Sequence, residues 1–243
     1  WFDGRMATPH DADGTPLPPQ IAEHALASDE VWSTPRDYAR FLIALMRRHH
    51  ADYVAALRAT GADVTLLPAH EGFPDAHFVE DSAVCFREGA VMMRPGTPTR
   101  LKEPLEMAPV LAQFYDDILW IEAPATIDGG DVLVTETEVL VGRSARTNAE
   151  GIAALAKAAA TWGYRTREVI TPPGVLHFKT DCSLLDEHTI YATPLLAGSG
   201  CFDGYRVILT PAGEEASANL IRFNDAVIMP DGFPKAAARL ERE

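Results

Sequence analysis

The sequence predicts an α/β protein built from five repeats of one hairpin–helix–strand unit, arranged about a common axis with pseudo-fivefold symmetry. Three observations carry this. Hairpin-like runs recur with leading aspartates at 81, 131 and 181, a spacing of 50 and then 50. A stretch of helical periodicity and a short apolar strand separate successive hairpins. Polar residues also gather at one place in each unit, after the lone strand and before the next hairpin.

The elements follow in chain order. Residues 1–35, with Pro9, Pro16, Pro18 and Pro19, read as an irregular segment. Tyr38, Phe41, Leu45, His49, Tyr53 and Leu57 recur at helical spacing, and Asp63-Val-Thr-Leu-Leu67 reads as a strand. The first clear hairpin pairs Asp81-Ser-Ala-Val-Cys-Phe86 with Ala90-Val-Met-Met-Arg-Pro95. A helix marked by Leu105, Ala108, Leu111 and Tyr115 follows, then a strand at Ile118-Leu-Trp-Ile-Glu122. The second hairpin joins Asp131-Val-Leu-Val-Thr135 to Glu138-Val-Leu-Val-Gly-Arg143 around Glu136-Thr137. Thr147-Asn-Ala-Glu150 has the form of a capping box, opening a helix through Ile152, Leu155, Ala159 and Trp162 that stops at Gly163. Arg167-Glu-Val-Ile-Thr171 is its strand. The third hairpin, Asp181 to Leu185 with Thr189 to Pro194, has only a short connection before Tyr205-Arg-Val-Ile-Leu-Thr210. Asn219 to Phe223 and Ala226 to Pro230 make a fourth hairpin, and a helix begins at Lys235. The units number five with both ends incomplete. Residues 1–243 are therefore expected to form one domain truncated at its C-terminus, the last unit breaking off within its helix.

Bulk composition narrows the function. Thirty-five acidic against 21 basic residues give a formal net charge of −14. That field argues against nucleic acid as a partner and suits a cationic small molecule. No apolar run approaches the roughly 20 residues of a membrane span. The longest, Phe41 to Met46, runs into Arg47-Arg-His-His50. No secretory leader is visible. Cys85, Cys182 and Cys201 are an odd count without paired spacing, which argues against disulfides or a zinc site and favours a reducing, cytoplasmic setting. Packing inside strands is the expected role of Cys85 and Cys182.

The recurrent polar place reads Phe73-Pro-Asp75-Ala-His-Phe-Val-Glu80-Asp81, then Ala125-Thr-Ile-Asp128-Gly-Gly-Asp131, then Gly174-Val-Leu-His177-Phe-Lys-Thr-Asp181. In a ring of repeats, equivalent positions face the axis, so Glu80, Asp81, Asp128 and His177 are expected to converge on one pocket. Carboxylates grip a planar guanidinium through paired hydrogen bonds, and their charge tunes a nearby imidazole for proton transfer. Asp131 and Asp181 read instead as turn caps. Arg146 stands just before a helix N-terminus, where a cation is locally unfavourable unless an anion joins it, and Arg100 holds the corresponding place one unit earlier. A ligand with a guanidinium at one end and a carboxylate at the other is arginine or a derivative.

These residues resemble a known family. Phe73-Pro-Asp75, Phe78-Val-Glu80-Asp81, Arg94-Pro-Gly96, Asp128-Gly-Gly-Asp-Val-Leu133, Ser144-Ala-Arg146-Thr-Asn-Ala-Glu-Gly151, Val175-Leu-His177-Phe-Lys179 and Val227-Ile-Met-Pro-Asp-Gly-Phe-Pro234 are similar to dimethylarginine dimethylaminohydrolases. The resemblance covers roughly residues 36–243 and implies the five-bladed pentein propeller. It implies that His177 is the general acid/base with Asp128 as its acidic partner. Asp75, Glu80 and Asp81 would contact the guanidinium end and the substrate amine, and Arg100 and Arg146 the α-carboxylate. It implies a cysteine thiolate that attacks the guanidinium carbon of an N-methylated arginine, releasing dimethylamine and then citrulline. None of the three cysteines matches that nucleophile, which is expected beyond residue 243. No metal or organic cofactor is implied, and a homodimer is among the assemblies allowed. Leu101-Lys102 replaces a more polar stretch after Arg100. Two alternatives stay open: an arginine- or agmatine-deiminase-like amidine hydrolase, and a catalytically dead ligand-binding member.

Overall fold

A computed structural model describes residues 35–136 and 138–243, with side chains from residue 42 onward. Most of the irregular segment expected over 1–35 lies outside the described residues, although Pro35 itself already belongs to a helix. The chain divides into two compact units, residues 1–64 and 65–243.

In the first unit the helical spacing from Tyr38 to Leu57 is realised as α1 (Pro35–Ala59). Gly61 ends it at φ +89°, donating its N–H to the Arg58 carbonyl at 3.0 Å. The segment 63–67, expected as a strand, has no strand pairing. An extended run becomes a strand only when a neighbouring strand takes its hydrogen bonds, and among the described residues no strand pairs with it.

The second unit repeats one construction. β1 (Ala83–Cys85) and β2 (Ala90–Met92) form an antiparallel hairpin, α2 (Glu103–Leu111) crosses over, and β3 (Ile118–Trp120) returns parallel to β2. β4 (Val132–Val134), β5 (Glu138–Arg143), α3 (Ala149–Ala160) and β6 (Arg165–Ile170) repeat it, with Val132 opposite Val141 and Glu138 beside Arg165. β7 (Cys182–Leu184), β8 (Thr189–Ala192), the single-turn α4 (Pro194–Ala197) and β9 (Arg206–Leu209) repeat it again. β10 (Ile221–Phe223) and β11 (Ala226–Ile228) form a fourth hairpin, and α5 (Pro234–Leu240) follows.

The second strand of each three-stranded sheet is its middle strand, bonded on both edges and covered on both faces. β2 and β8 are accordingly buried along their whole length, and β5 up to Gly142. The core lies between successive sheets. Val91, Ile127, Val139 and Leu155 fill the space between the first and second, and Leu140, Phe178, Ile190 and Leu196 that between the second and third. Tyr191, Ile208, Leu220 and Ala236 pack between the third sheet and the fourth hairpin. This is a mixed α/β fold whose sheets stack in chain order.

Three local expectations need correction. The cap of α3 is Asn148, whose Oδ1 accepts the Gly151 N–H at 2.7 Å, because the Thr147 hydroxyl is drawn to Asp131 Oδ2 at 2.7 Å. α2 stops at Leu111, one turn short of Tyr115. Cys85 is exposed at the end of β1, since strand alternation turns Val84 inward, whereas Cys182 is fully buried as expected. No helix among the described residues is long and apolar enough to cross a membrane.

Candidate active site

Three single 3-10 turns, Val79–Asp81, Gly129–Asp131 and Phe178–Thr180, lead into β1, β4 and β7. Asp128 and His177 each occupy the residue immediately before such a turn, both with extended backbone (φ −96°, ψ 138° and φ −133°, ψ 154°). They are equivalent positions of adjacent units. Asp81 is offset from them: it closes its turn, as Asp131 closes the next one. The two closing aspartates clamp neighbouring units together. Asp81 Oδ1 accepts the Gly130 N–H at 2.8 Å, and Asp131 Oδ1 accepts the Phe178 N–H at 2.8 Å. Burial pushes the Asp131 carboxyl above its usual range, against hydrogen bonds from Ser144, Thr147 and Phe178. Asp131 therefore does more than cap a turn, whereas Asp181 serves its own hairpin, accepting from Thr193 Oγ1 at 3.0 Å.

The clamps bring His177 Nε2 to 3.1 Å from Asp128 Oδ2. Asp128 is fully buried and held from two further sides: its Oδ1 accepts the Gly96 N–H at 2.7 Å, and its own N–H is donated to Thr147 Oγ1 at 3.2 Å. The hydrogen bond to Asp128 raises the His177 pKa against the opposing effect of burial, and the charges of Asp131 and Asp81 add to it. The raised pKa favours the imidazolium, in which Nε2 carries a proton to donate to Asp128.

The remaining expected residues fall around this pair differently. Arg100 is buried, and its guanidinium is occupied. It donates to Asp81 Oδ2 at 2.5 Å, to Glu103 Oε2 at 2.8 Å, and to the carbonyls of Phe78 and Asp75 at 3.0 and 3.2 Å. Two carboxylates and two carbonyls thus hold this guanidinium in a fixed orientation. Arg146 is one-third exposed, bonded to Thr97 Oγ1, with Nη1 3.9 Å from Asp128 Oδ2. Glu80 is exposed and receives Lys179 Nζ at 2.8 Å, while Asp75 is half-buried.

Sequence reasoning missed Glu103, Thr97 and Lys179 as parts of the site. Glu103 had a usable signal, lying three residues after Arg100 where side chains share a helical face. Thr97 had none, because its link to Arg146 crosses from one unit to the next.

Asp81, Asp128 and His177 also offer ligand atoms within 4.8 Å of one another, the spacing a cation would need. Each carboxylate is also engaged with the protein, Asp81 with Arg100 and Gly130 and Asp128 with Gly96 and His177. None of the cysteines stands in it. Cys182 donates to the Phe178 carbonyl at 3.3 Å from inside the core, and burial pushes its thiol well above the usual range.

Known proteins are similar to this chain in sequence and fold. The arginine deiminase family model matches residues 69–190. An N(G),N(G)-dimethylarginine dimethylaminohydrolase of Pseudomonas aeruginosa is 34% identical over 207 residues, covering 85% of this chain and 79% of that protein. One from Streptomyces coelicolor is 33% identical over 190 residues, covering 77% and 72%. The solved structure of the Pseudomonas aeruginosa enzyme, a cysteine-to-serine variant complexed with citrulline, superposes with a TM-score of 0.78 at 34% identity, over 80% of this chain and 76% of that one. The chain belongs to the dimethylarginine dimethylaminohydrolase family.

Proposed function

We propose that this protein hydrolyses N-omega-methylated arginine to citrulline and dimethylamine, with His177 as general acid/base and Asp128 as the carboxylate that orients it. The observation that carries the reading is the 3.1 Å bond between His177 Nε2 and a fully buried Asp128. Asp81, beside that pair, takes the guanidinium, Glu80 and Asp75 take its flank and the substrate amine, and Arg146 takes the α-carboxylate. Arg100 holds Asp81 in place. The repetition of hairpin, helix and parallel strand supports five units closing one ring, the shape that turns equivalent residues towards one axis.

The chemistry follows from these roles. A cysteine thiolate outside the 243 residues forms a C–S bond to the guanidinium carbon, and the complex of a cysteine-to-serine relative with citrulline supports that assignment. The C–N bond to dimethylamine breaks as His177 delivers its proton to the leaving nitrogen. Neutral His177 then takes a proton from water, which attacks the thiouronium carbon. The C–S bond breaks and citrulline leaves. Asp128 stabilises the imidazolium at the start and end of this cycle. All three cysteines of the sequence are free, which suits a reducing compartment.

The test is turnover of dimethylarginine, arginine and agmatine by the product of the complete gene. Citrulline and dimethylamine from dimethylarginine are expected, with His177→Ala at least about a hundredfold slower and folded normally. Ammonia from arginine or agmatine alone would instead establish a deiminase. Citrulline binding without any turnover would establish a binding protein.

A further inference from the structure

Asp81, Arg100 and Glu103 form a charged group sealed inside the protein, with 4%, 5% and 3% of their surfaces exposed. Glu103 Oε2 receives both Nε and Nη2 of Arg100, at 2.8 and 2.7 Å, while Asp81 Oδ2 receives only Nη1, at 2.5 Å. Arg100 is thus chelated from the side of Glu103 and touches Asp81 with one nitrogen. Glu103 Oε1 has no hydrogen-bond partner among the described residues, so no second donor dissipates its charge.

The charges matter because Asp81 stands at the site and Glu103 behind it. An isolated Asp81–Arg100 pair is neutral, and an approaching cation would meet the guanidinium charge as soon as it met the carboxylate. Adding Glu103 leaves the group with one net negative charge. Burial makes that charge felt, because little solvent screens it. We propose that Glu103 is an electrostatic positioning residue: it balances the charge of Arg100, so that the buried group presents net negative charge to a cationic guanidino ligand and favours it over a neutral ligand of the same shape. This inference rests on the reading that such a ligand occupies the site beside Asp81.

Arginine and citrulline are a suitable pair of probes, equal in length and carrying the same amino-acid head, one ending in a guanidinium and the other in a neutral ureido group. Glu103→Gln keeps an oxygen acceptor for Arg100 and removes only the charge. Dissociation constants measured by calorimetry on the full chain are expected to rise about tenfold for arginine and to change less than twofold for citrulline. That is the order expected for one unit charge roughly 10 Å away at an effective dielectric of about 20. Glu103→Asp keeps the charge and should retain the preference for arginine even where both affinities fall. A Glu103→Gln protein that weakens both ligands equally, or neither, overturns the proposal, the first outcome marking Glu103 as merely structural. A wild-type chain that binds neither ligand overturns the reading of the site and this inference with it. Melting curves on every variant separate these outcomes from loss of fold.

Discussion

Three glycines form a graded test of how closely the turns of the candidate site are stacked. A Cβ added at Gly129 would lie 1.8 Å from the Glu80 carbonyl oxygen and 2.9 Å from its carbon. Both atoms are backbone, so neither can swing aside, and one turn must move off the other. Gly129→Ala should cost about 3 kcal/mol or more, at the top of the range for overpacking. At about 2–4 °C per kcal/mol for a chain of this size, the melting temperature should fall by roughly 6–12 °C. A Cβ at Gly130 meets Asp81 Oδ1 at 2.9 Å, His177 Cγ at 3.0 Å and His177 Nδ1 at 3.2 Å. These are side chains, and each can yield by about half an ångström. Gly130→Ala should therefore cost only about 1 kcal/mol of stability, yet displace the two groups assigned to the guanidinium and the proton. A displacement of that size should cost roughly tenfold or more in turnover. Gly72, with nothing within 4 Å, is the control, and its Ala variant should melt within a degree or two of wild type. Thermal melts and kcat/KM on the three proteins decide the matter. Wild-type turnover in Gly130→Ala, together with a normal melt in Gly129→Ala, would falsify the close stacking of turns on which the site depends.

Two further outcomes follow from the same contacts. The folded-state pKa of His177 is raised, above all by its bond to Asp128, so this group contributes stability that is fully present below the unfolded value of 6.5 and is lost as pH rises through the folded value. The urea midpoint should accordingly fall as pH climbs from about 6.5, and Asp128→Asn should flatten that slope; an unchanged slope would dissolve the coupling. Asn148 accepts from Gly151 and Thr126 through one oxygen, at 2.7 and 3.0 Å, and donates to the Pro124 carbonyl at 3.2 Å. Asn148→Ala should cost about 2 kcal/mol, the upper end for a lost N-cap, seen as a drop of roughly 4–8 °C in melting temperature. A drop no larger than that of an exposed alanine substitution would refute its role as cap and link.

Periodicity explains what could be read from sequence and what could not. Hairpins, helices and parallel strands are decided over a few residues, by alternation, helical spacing and turn chemistry, and Val132–Val134 with Glu138–Arg143 was visible on those grounds. The pairing of Asp128 with His177 was legible for a different reason: the two residues hold equivalent positions in successive repeats, each just before the turn that leads into a hairpin. What escaped were contacts that the repeat does not announce. The Asp131 clamp on Phe178, the diversion of Thr147 from capping to Asp131, and the enclosure of Arg100 by Asp81 and Glu103 each depend on a partner that local pattern does not name. Arg100 is the instructive case. A guanidinium before a helix suggests an anion, and the anion turns out to be the protein's own. Two internal carboxylates satisfy that arginine, which ties Asp81 and Glu103 into one buried group.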